Sequence, residues 1–259
     1  MSKRMILKIM VMLLSVSMLV IALKGKEFRV TAEGEVATIK MLNPETNDSF
    51  FILKASEHPI GSVFTVMFSI THVEKLIAWE ISISWNNSLI NFQDVSIPDD
   101  NVFASAIDGA TLITFASNDV VDDTGYLKVN ATLSPETPVD VTNLGVLCQV
   151  NFTIQQLPSD EVLCTEITFI QQETFVVLEL GQKPVFTTPA YVCILNFTPT
   201  PDINKDGTVK FEDIMTAVDA FGSYPSHLRW NPHADLDLDG RITMADMVII
   251  LTNFGKSYP

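Results

Sequence analysis

The chain has 259 residues, enough for one medium-sized domain and a small one. Its formal net charge is −15, and the first 26 residues carry five Lys/Arg and no acid. The rest of the chain therefore carries 11 Lys/Arg and 31 Asp/Glu, a net charge of −20. Nucleic acids and anionic membrane surfaces are bound by basic faces, so this acidity argues against both as partners.

Residues 1–26 are typical of an export segment. Lys3, Arg4 and Lys8 precede an uncharged, mostly apolar run over residues 9–23. Such a run is short for a helix that crosses a hydrocarbon core of about 30 Å, and it suits the apolar region of a signal peptide. Because no clear cleavage site follows, we interpret 1–26 as a signal peptide or a signal anchor, with no further membrane insertion. Both interpretations predict a secreted or cell-surface protein.

Over residues 36–197, apolar and polar side chains alternate, which is typical of half-buried β-strands. The clearest runs are 64–70, 79–85, 127–133 and 146–154. Polar, turn-forming stretches separate these runs. The pattern predicts a mainly β, antiparallel sandwich of the jelly-roll type, with the two tryptophans of the second run in its core.

The cysteines and the glycosylation sequences leave alternatives open. Cys148, Cys164 and Cys193 are too few for a disulfide framework or a zinc site, so either one disulfide among three pairings or buried thiols remain. Asn-x-Ser/Thr sequences, which can accept glycans after export, occur at Asn47, Asn86, Asn130, Asn151 and Asn196.

No arrangement of residues predicts catalysis. The four histidines are scattered, and adjacent acids such as Asp99-Asp100 and Asp122-Asp123 lie in turn-like stretches. A glycosidase needs two carboxyl groups that face each other across a cleft. We therefore assign no catalytic residue and expect that the protein is not an enzyme.

The alternation stops at Phe197, and the Thr-Pro-Thr-Pro sequence at 198–201 is typical of a short, extended linker. With Phe197 included, five residues reach at most about 18 Å. We therefore expect that the region 202–259 is a separate domain that does not fold back onto the sandwich.

Residues 202–222 and 235–255 repeat each other with an offset of 33 positions. Each copy has oxygen-bearing side chains at places 1, 3 and 5, Gly at place 6, an acid at place 12, and a helix-like segment that ends in Phe-Gly. Calcium takes six to eight oxygen ligands, and such loops also supply a backbone carbonyl at place 7. The repeat therefore predicts two Ca²⁺ ions. The predicted side-chain ligands are Asp202, Asn204, Asp206, Asp213, Asp235, Asp237, Asp239 and Asp246, and the carbonyls are those of Thr208 and Arg241.

Place 8 of each loop is apolar, Val209 in one and Ile242 in the other, which favours a pair of loops that pack together. The repeat resembles the type I dockerins, the calcium-dependent docking modules of cellulosomes, which have two such loop–helix units with Asp at place 12. The resemblance implies a small, α-helical, paired EF-hand-like domain over 202–259. The partner-binding places 10 and 11 of that family fall on Phe211, Glu212, Met244 and Ala245. Dockerins often have small hydroxylated residues there, so the identity of the partner does not carry over.

The sandwich region resembles a cohesin, the nine-stranded sandwich that receives dockerins, in its strand patterns at 61–66, 76–86 and 145–152. The two resemblances imply an exported, non-catalytic scaffold or adaptor that assembles proteins through calcium-dependent cohesin–dockerin interaction. Its partners would be cohesin- or dockerin-bearing proteins. Carbohydrate-binding modules share related sandwiches. The alternative is therefore a carbohydrate-binding sandwich, tethered through its dockerin to a complex for polysaccharide catabolism.

Overall fold

The computed structural model describes residues 37–106 and 111–258. The predicted export segment at 1–26 lies outside these residues. All described residues belong to one compact unit, Val36–Pro259. Within the described ranges, no helix is long and apolar enough to cross a membrane.

Strands are the main regular structure of the described chain, and two short α-helices follow them. The strands are β1 (Thr38–Leu42), β2 (Phe50–Lys54), β3 (Val63–Thr71), β4 (Val73–Asn86), β5 (Ile90–Ser96), β6 (Thr111–Val121), β7 (Thr124–Ser134), β8 (Val139–Val141), β9 (Gly145–Ile154), β10 (Val162–Phe169), β11 (Phe175–Leu178), β12 (Gly181–Pro184), β13 (Phe186–Thr188) and β14 (Ala190–Leu195). The α-helices are α1 (Phe211–Ala220) and α2 (Met244–Thr252). Two single 3-10 turns lie at Ala104–Ala106 and Gln171–Glu173.

The strands form two sheets. One has five strands in the order β13-β1-β3-β9-β5. The other has nine, built on the path β12-β11-β4-β10-β14-β2, with β7 and β8 also paired to β4 and β6 paired to β7. Apolar side chains from both sheets form a single buried cluster. The predicted mainly β sandwich is therefore confirmed.

The number of strands and the direction of their pairing differ from the expectation. The described residues form fourteen strands, where the cohesin resemblance implied nine. The pairing is not wholly antiparallel either, because β1 pairs with β13 in parallel and β2 pairs with β14 in parallel. Parallel neighbours need a long crossover connection, and here that connection is nearly the whole domain, since its first two strands pair with its last two.

The predicted alternation holds for β4 and fails at one point of β9. Trp79 and Trp85 on β4 are 1% and 3% exposed, so both tryptophans lie in the core as expected. On β9, the register with β3 shifts and Leu147 becomes an extra residue, which is buried. The expectation that Val146 shares the buried face with Cys148 is therefore wrong, because a β-bulge moves that face by one residue.

The three cysteines are divided between a disulfide and a thiol. Cys164 on β10 lies directly opposite Cys193 on β14, and the two form a disulfide. Cys148 is free and buried, and burial raises the pKa of its thiol well above the usual range. Since the thiolate is the reactive form, Cys148 is a core side chain rather than a reactive one.

Residues 202–258, called the C-terminal module below, have a hydrophobic core of their own. It includes Ile203, Val209, Ile214, Ala217, Ala220, Ala234, Ile242, Met247 and Ile250. Trp230, from the segment between the two repeats, packs against this core. The core is small, so burial of apolar surface alone stabilises the module only marginally.

The C-terminal module contacts the sandwich, so the expectation that the short linker keeps the two regions apart is wrong. The Lys205 ammonium lies 2.7 Å from the Glu161 carboxylate, and the Arg241 guanidinium lies 3.0 Å from the Asp48 carboxylate. Little reach is needed for these contacts, because Lys205 follows the linker by only four residues. Arg241 lies much later in the chain, and the fold of the module brings it against the sandwich as well.

Candidate metal centre

Backbone hydrogen bonds connect each loop of the repeat to the end of the other copy's helix. The Val209 N–H donates to the Lys256 carbonyl at 2.9 Å, and the Gly255 N–H donates to the Val209 carbonyl at 2.8 Å. Ile242 makes the same two bonds with residues 222–223, at 3.0 and 2.8 Å. The backbone bonds of the place-8 residues thus join each loop to the end of the opposite helix, while both side chains are buried in the core of the module, as the apolar pattern predicted. The two copies are therefore mechanically linked.

Both loops turn at their place-6 glycine. Gly207 has φ +91° and Gly240 has φ +82°, in the left-handed region that favours glycine. Beyond the turn, the place-7 N–H of Thr208 and that of Arg241 each donate to the carboxylate at place 5 of their own loop, at 3.1 and 2.7 Å. The repeated sequence therefore forms the same tight turn twice.

The second loop brings three carboxylates together. One oxygen from each of Asp235, Asp237 and Asp239 lies within 4.8 Å of the others. Asp235 is fully buried, and its Oδ2 accepts from the Gly240 N–H at 3.0 Å. Its Oδ1 is buried without a hydrogen-bond partner. A buried, unpartnered carboxylate oxygen is costly, and a hard cation would offset that cost.

The electrostatics of the second loop agree with its geometry. The pKa of Asp235 is raised to about 8. Burial is the largest cause, and the negative charges of the neighbouring Asp246, Asp239 and Asp237 add to it. The pKa values of Asp237 and Asp239 are also raised, chiefly by burial. The site therefore holds more negative charge than its own hydrogen bonds stabilise, and its donor set fits Ca²⁺.

Asp246, at place 12, lies close to this group but has a second role. It is fully buried, and its two oxygens accept from the Leu236 and Thr243 N–H groups, each at 2.7 Å. Thr243 is the N-cap residue of α2, so Asp246 also fixes the start of that helix. In the described residues, the converging group consists of the three acids at places 1, 3 and 5.

In the first loop, a lysine forms an ion pair with one of the acids. The Lys210 ammonium lies 3.2 Å from the Asp206 carboxylate, and this contact lowers the pKa of Asp206. Asn204 also donates to Asp206, at 3.4 Å. Asp202 is 4% exposed, and its carboxylate accepts from the Asp206 and Gly207 N–H groups at 3.1 and 2.8 Å. This loop already has partners for its charges.

Asp213 is the place-12 acid of the first loop and mirrors Asp246. It is fully buried and accepts from the Asn204 and Lys210 N–H groups at 3.1 and 2.7 Å. Lys210 is the N-cap residue of α1. Among the described residues, the acids of this loop do not form a converging group like that of the second loop.

The four predicted partner-binding residues lie in the first turns of the two helices. Phe211 and Glu212 begin α1, Met244 and Ala245 begin α2, and all four are exposed. Phe211 is 42% exposed and Met244 is 36% exposed. Both are apolar side chains at matched places of the repeat.

The sequence reasoning missed three further exposed apolar residues on these helices. Met215 and Val218 follow Phe211 on α1, and Val248 follows Met244 on α2. Residues four and seven apart lie on one face of a helix, so this spacing was the available signal. Met215 and Val248 are also 33 positions apart, which makes them equivalent in the repeat.

Comparisons with known proteins give no family assignment. No family model matches the sequence, and no curated protein matches it either. Among solved structures, a chain from a type I cohesin–dockerin complex of Clostridium thermocellum is 11% identical with a TM-score of 0.44, and the match covers 64% of this chain and 96% of that one.

Two further solved structures are similar at the same level. A non-cellulosomal cohesin from Archaeoglobus fulgidus is 16% identical with a TM-score of 0.42, and the match covers 62% of this chain and 92% of that one. A cohesin module of a family 33 glycoside hydrolase from Clostridium perfringens is 12% identical with a TM-score of 0.42, covering 62% and 97%. Likenesses this weak carry no conclusion about partners or activity.

Proposed function

We propose that the chain is an exported, non-catalytic adaptor that binds other proteins through its C-terminal module in a calcium-dependent way. The carrying observation is that one small module combines a group of convergent, incompletely partnered carboxylates with matched exposed apolar residues on its two helices. The first feature is suited to a metal ion and the second to a protein partner.

Calcium would bind in the two loops of the repeat. The second loop would hold it through Asp235, Asp237, Asp239 and Asp246, with the Arg241 carbonyl. The first loop would hold it through Asp202, Asn204, Asp206 and Asp213, with the Thr208 carbonyl. When bound, calcium supplies the positive charge that the buried carboxylates lack. Because the core of the module is small, this binding energy would contribute directly to its folding.

The partner would be a protein with a largely apolar docking face. Phe211, Met215 and Val218 on α1 and Met244 and Val248 on α2 present apolar side chains to solvent. Charged side chains are depleted in the centre of protein interfaces, and apolar ones are enriched there. The resemblance to dockerins makes a cohesin the partner to test first.

The sandwich fits the same proposal in two respects. Its sequence patterns resemble those of cohesins, which would make it a receptor for the dockerin of another chain. The Cys164–Cys193 disulfide suits a protein that is exported to an oxidising compartment, as the segment 1–26 suggests.

The test is a binding assay with the full chain and a panel of purified cohesins, in calcium and then in chelator. We expect retention in calcium that is lost in chelator. The double variant Met215→Ser and Val248→Ser should lose retention, while Leu180→Ser, at an exposed sandwich position, should keep it. Retention on an insoluble polysaccharide, with no protein bound in calcium, would contradict the proposal and favour the carbohydrate-binding alternative.

A further inference from the structure

The second loop packs against an aromatic surface of the sandwich. Phe50 on β2 is 5% exposed and stacks on Tyr191 of β14, with ring centroids 5.7 Å apart. Tyr224 of the module packs against both rings, at 5.8 and 6.4 Å. A Cβ atom at Gly240 would come within 2.4 Å of the Phe50 Cβ. Glycine is thus needed at place 6 for this contact as well as for the turn.

Arg241, the next residue, is held by the sandwich through its side chain. Its Nε and Nη2 donate to the two carboxylate oxygens of Asp48 at 3.0 and 3.2 Å. Its guanidinium also lies over the Phe50 ring, 4.7 Å from the centroid. Two parallel hydrogen bonds and a ring contact define the orientation of an arginine far better than a single ion pair does.

Arg241 is also part of the second loop itself. It occupies place 7, where the backbone carbonyl is the expected calcium ligand, and its N–H donates to Asp239 at 2.7 Å. One residue therefore connects the sandwich carboxylate of Asp48 to the loop backbone. The first loop has a different connection, through Lys205 at place 4 to Glu161.

We infer that Asp48 is a positioning residue for calcium binding in the second loop. By holding the Arg241 side chain, it fixes the place-7 backbone before the metal arrives, which lowers the entropic cost of binding. The inference rests on the proposed calcium binding. Linkage makes the effect reciprocal, so calcium should also strengthen the contact between the module and the sandwich.

A simpler effect has to be separated from this one. Asp48 is itself an acid near the loop, and it contributes to the raised pKa of Asp239. Its negative charge alone could attract calcium, with no role for Arg241. The two explanations differ in one respect: positioning acts only through Arg241, whereas attraction by charge does not need that side chain.

The experiment is a double-mutant cycle on the full chain. Calcium is titrated by calorimetry, and the backbone amide NMR signals of Gly207 and Gly240 follow the two loops separately. The chains are the wild type, Asp48→Asn, Arg241→Gln and the double variant. Asp99→Asn, in an exposed turn of the sandwich, removes the same charge away from the module contacts described here.

We expect Asp48→Asn to weaken calcium binding in the second loop about fivefold and to leave the first loop and the unfolding of the sandwich unchanged. Arg241→Gln should have a similar effect, and the double variant should be no weaker than Arg241→Gln. Wild-type affinity in Asp48→Asn, or an Asp48 effect that persists in the Arg241→Gln background, overturns the inference alone. A wild-type chain that binds no calcium overturns the proposed function with it.

Discussion

The two loops of the repeat have the same turn and nearly the same acids, yet their charges are balanced differently. At place 9 the first loop has Lys210 and the second has Thr243. Lys210 pairs with Asp206 and lowers its pKa, whereas the Thr243 hydroxyl accepts from the Ala245 N–H. The cation at place 7 of the second loop, Arg241, is directed to the sandwich instead.

The residue at place 9 thus gives the first loop an internal cation that the second loop lacks, and place 3 gives the second loop one more carboxylate, Asp237 instead of Asn204. In the first loop, calcium would have to compete with the Lys210 ammonium for Asp206. In the second, it meets three converging carboxylates and a buried oxygen without a partner. We therefore expect calcium to bind the second loop more tightly than the first.

The largest effect should come from Asp235→Ala. Because Asp235 is buried at the centre of the converging group, its loss should weaken calcium binding in the second loop by roughly 100-fold or more. Calorimetric titration of the full chain would measure this. Asp219→Ala, an exposed acid on α1 outside the loops, is the matched control and should bind as the wild type does. Equal losses in both variants would show that net charge, and not the site, binds the metal.

The next effect is on the pH dependence of the metal-free chain. The pKa of Asp235 is raised to about 8 in the folded state, well above its ordinary value near 4. Between these values the folded chain holds a proton that the unfolded chain has lost, so the free energy of unfolding falls as pH rises. We expect the module to unfold at least about 5 °C lower at pH 8 than at pH 5.

Hydrogen exchange of the α1 and α2 amides would follow the module separately from the sandwich. Saturating calcium should remove the pH dependence, because the bound ion keeps Asp235 ionised. If the stability of the metal-free module is flat or rises between pH 5 and pH 8, the Asp235 carboxylate of the second loop is not the uncompensated buried charge assigned to it.

Exchanging the place-9 residues should change calcium affinity by a smaller factor, and the two loops should change in opposite directions. Lys210→Thr removes the competing ammonium, so calcium binding in the first loop should strengthen about two- to fivefold, as expected for an exposed ion pair. Thr243→Lys should weaken binding in the second loop by a similar factor. Lys205→Asn removes a lysine that contacts Glu161 instead, and Asn tolerates the positive φ of this position, so this variant should leave the first loop's affinity nearly unchanged. If both exchanges shift binding in the same direction, the comparison between the loops fails.

How far the sequence predicts this molecule differs between its parts. Period-two alternation predicted the buried faces of β3, β4 and β7, because burial on one side of a sheet repeats every second residue. It could not show the bulge at Leu147 or the parallel pairing of the first and last strands, since both depend on contacts between residues that are distant in the chain.

At the candidate site, the 33-residue repeat located every acid, yet it did not reveal how unlike the loops are. Spacing alone treats Lys210 and Thr243 as equal, and only the structure places the Lys210 ammonium on Asp206. The contacts of Arg241 with Asp48 and Phe50 were equally hidden, because they join residues some 190 positions apart. The length of the linker even argued against them, because the reach of the linker does not show how the module folds.

The smallest expected effect concerns the link between the loops. Asp206→Ala removes a predicted ligand of the first loop, and the turn of that loop is hydrogen-bonded through Val209 to the Gly255 and Lys256 backbone just after α2. Groups that share such a network are not independent, so we expect the second loop to lose about twofold in calcium affinity as well. Glu212→Ala, which removes an exposed acid in the first turn of α1, is the control and should leave the second loop unaltered. The Gly240 amide signal reports the second loop during titration. A second loop with wild-type affinity in Asp206→Ala would mean that the crossed hydrogen bonds hold the two copies together without coupling their metal sites.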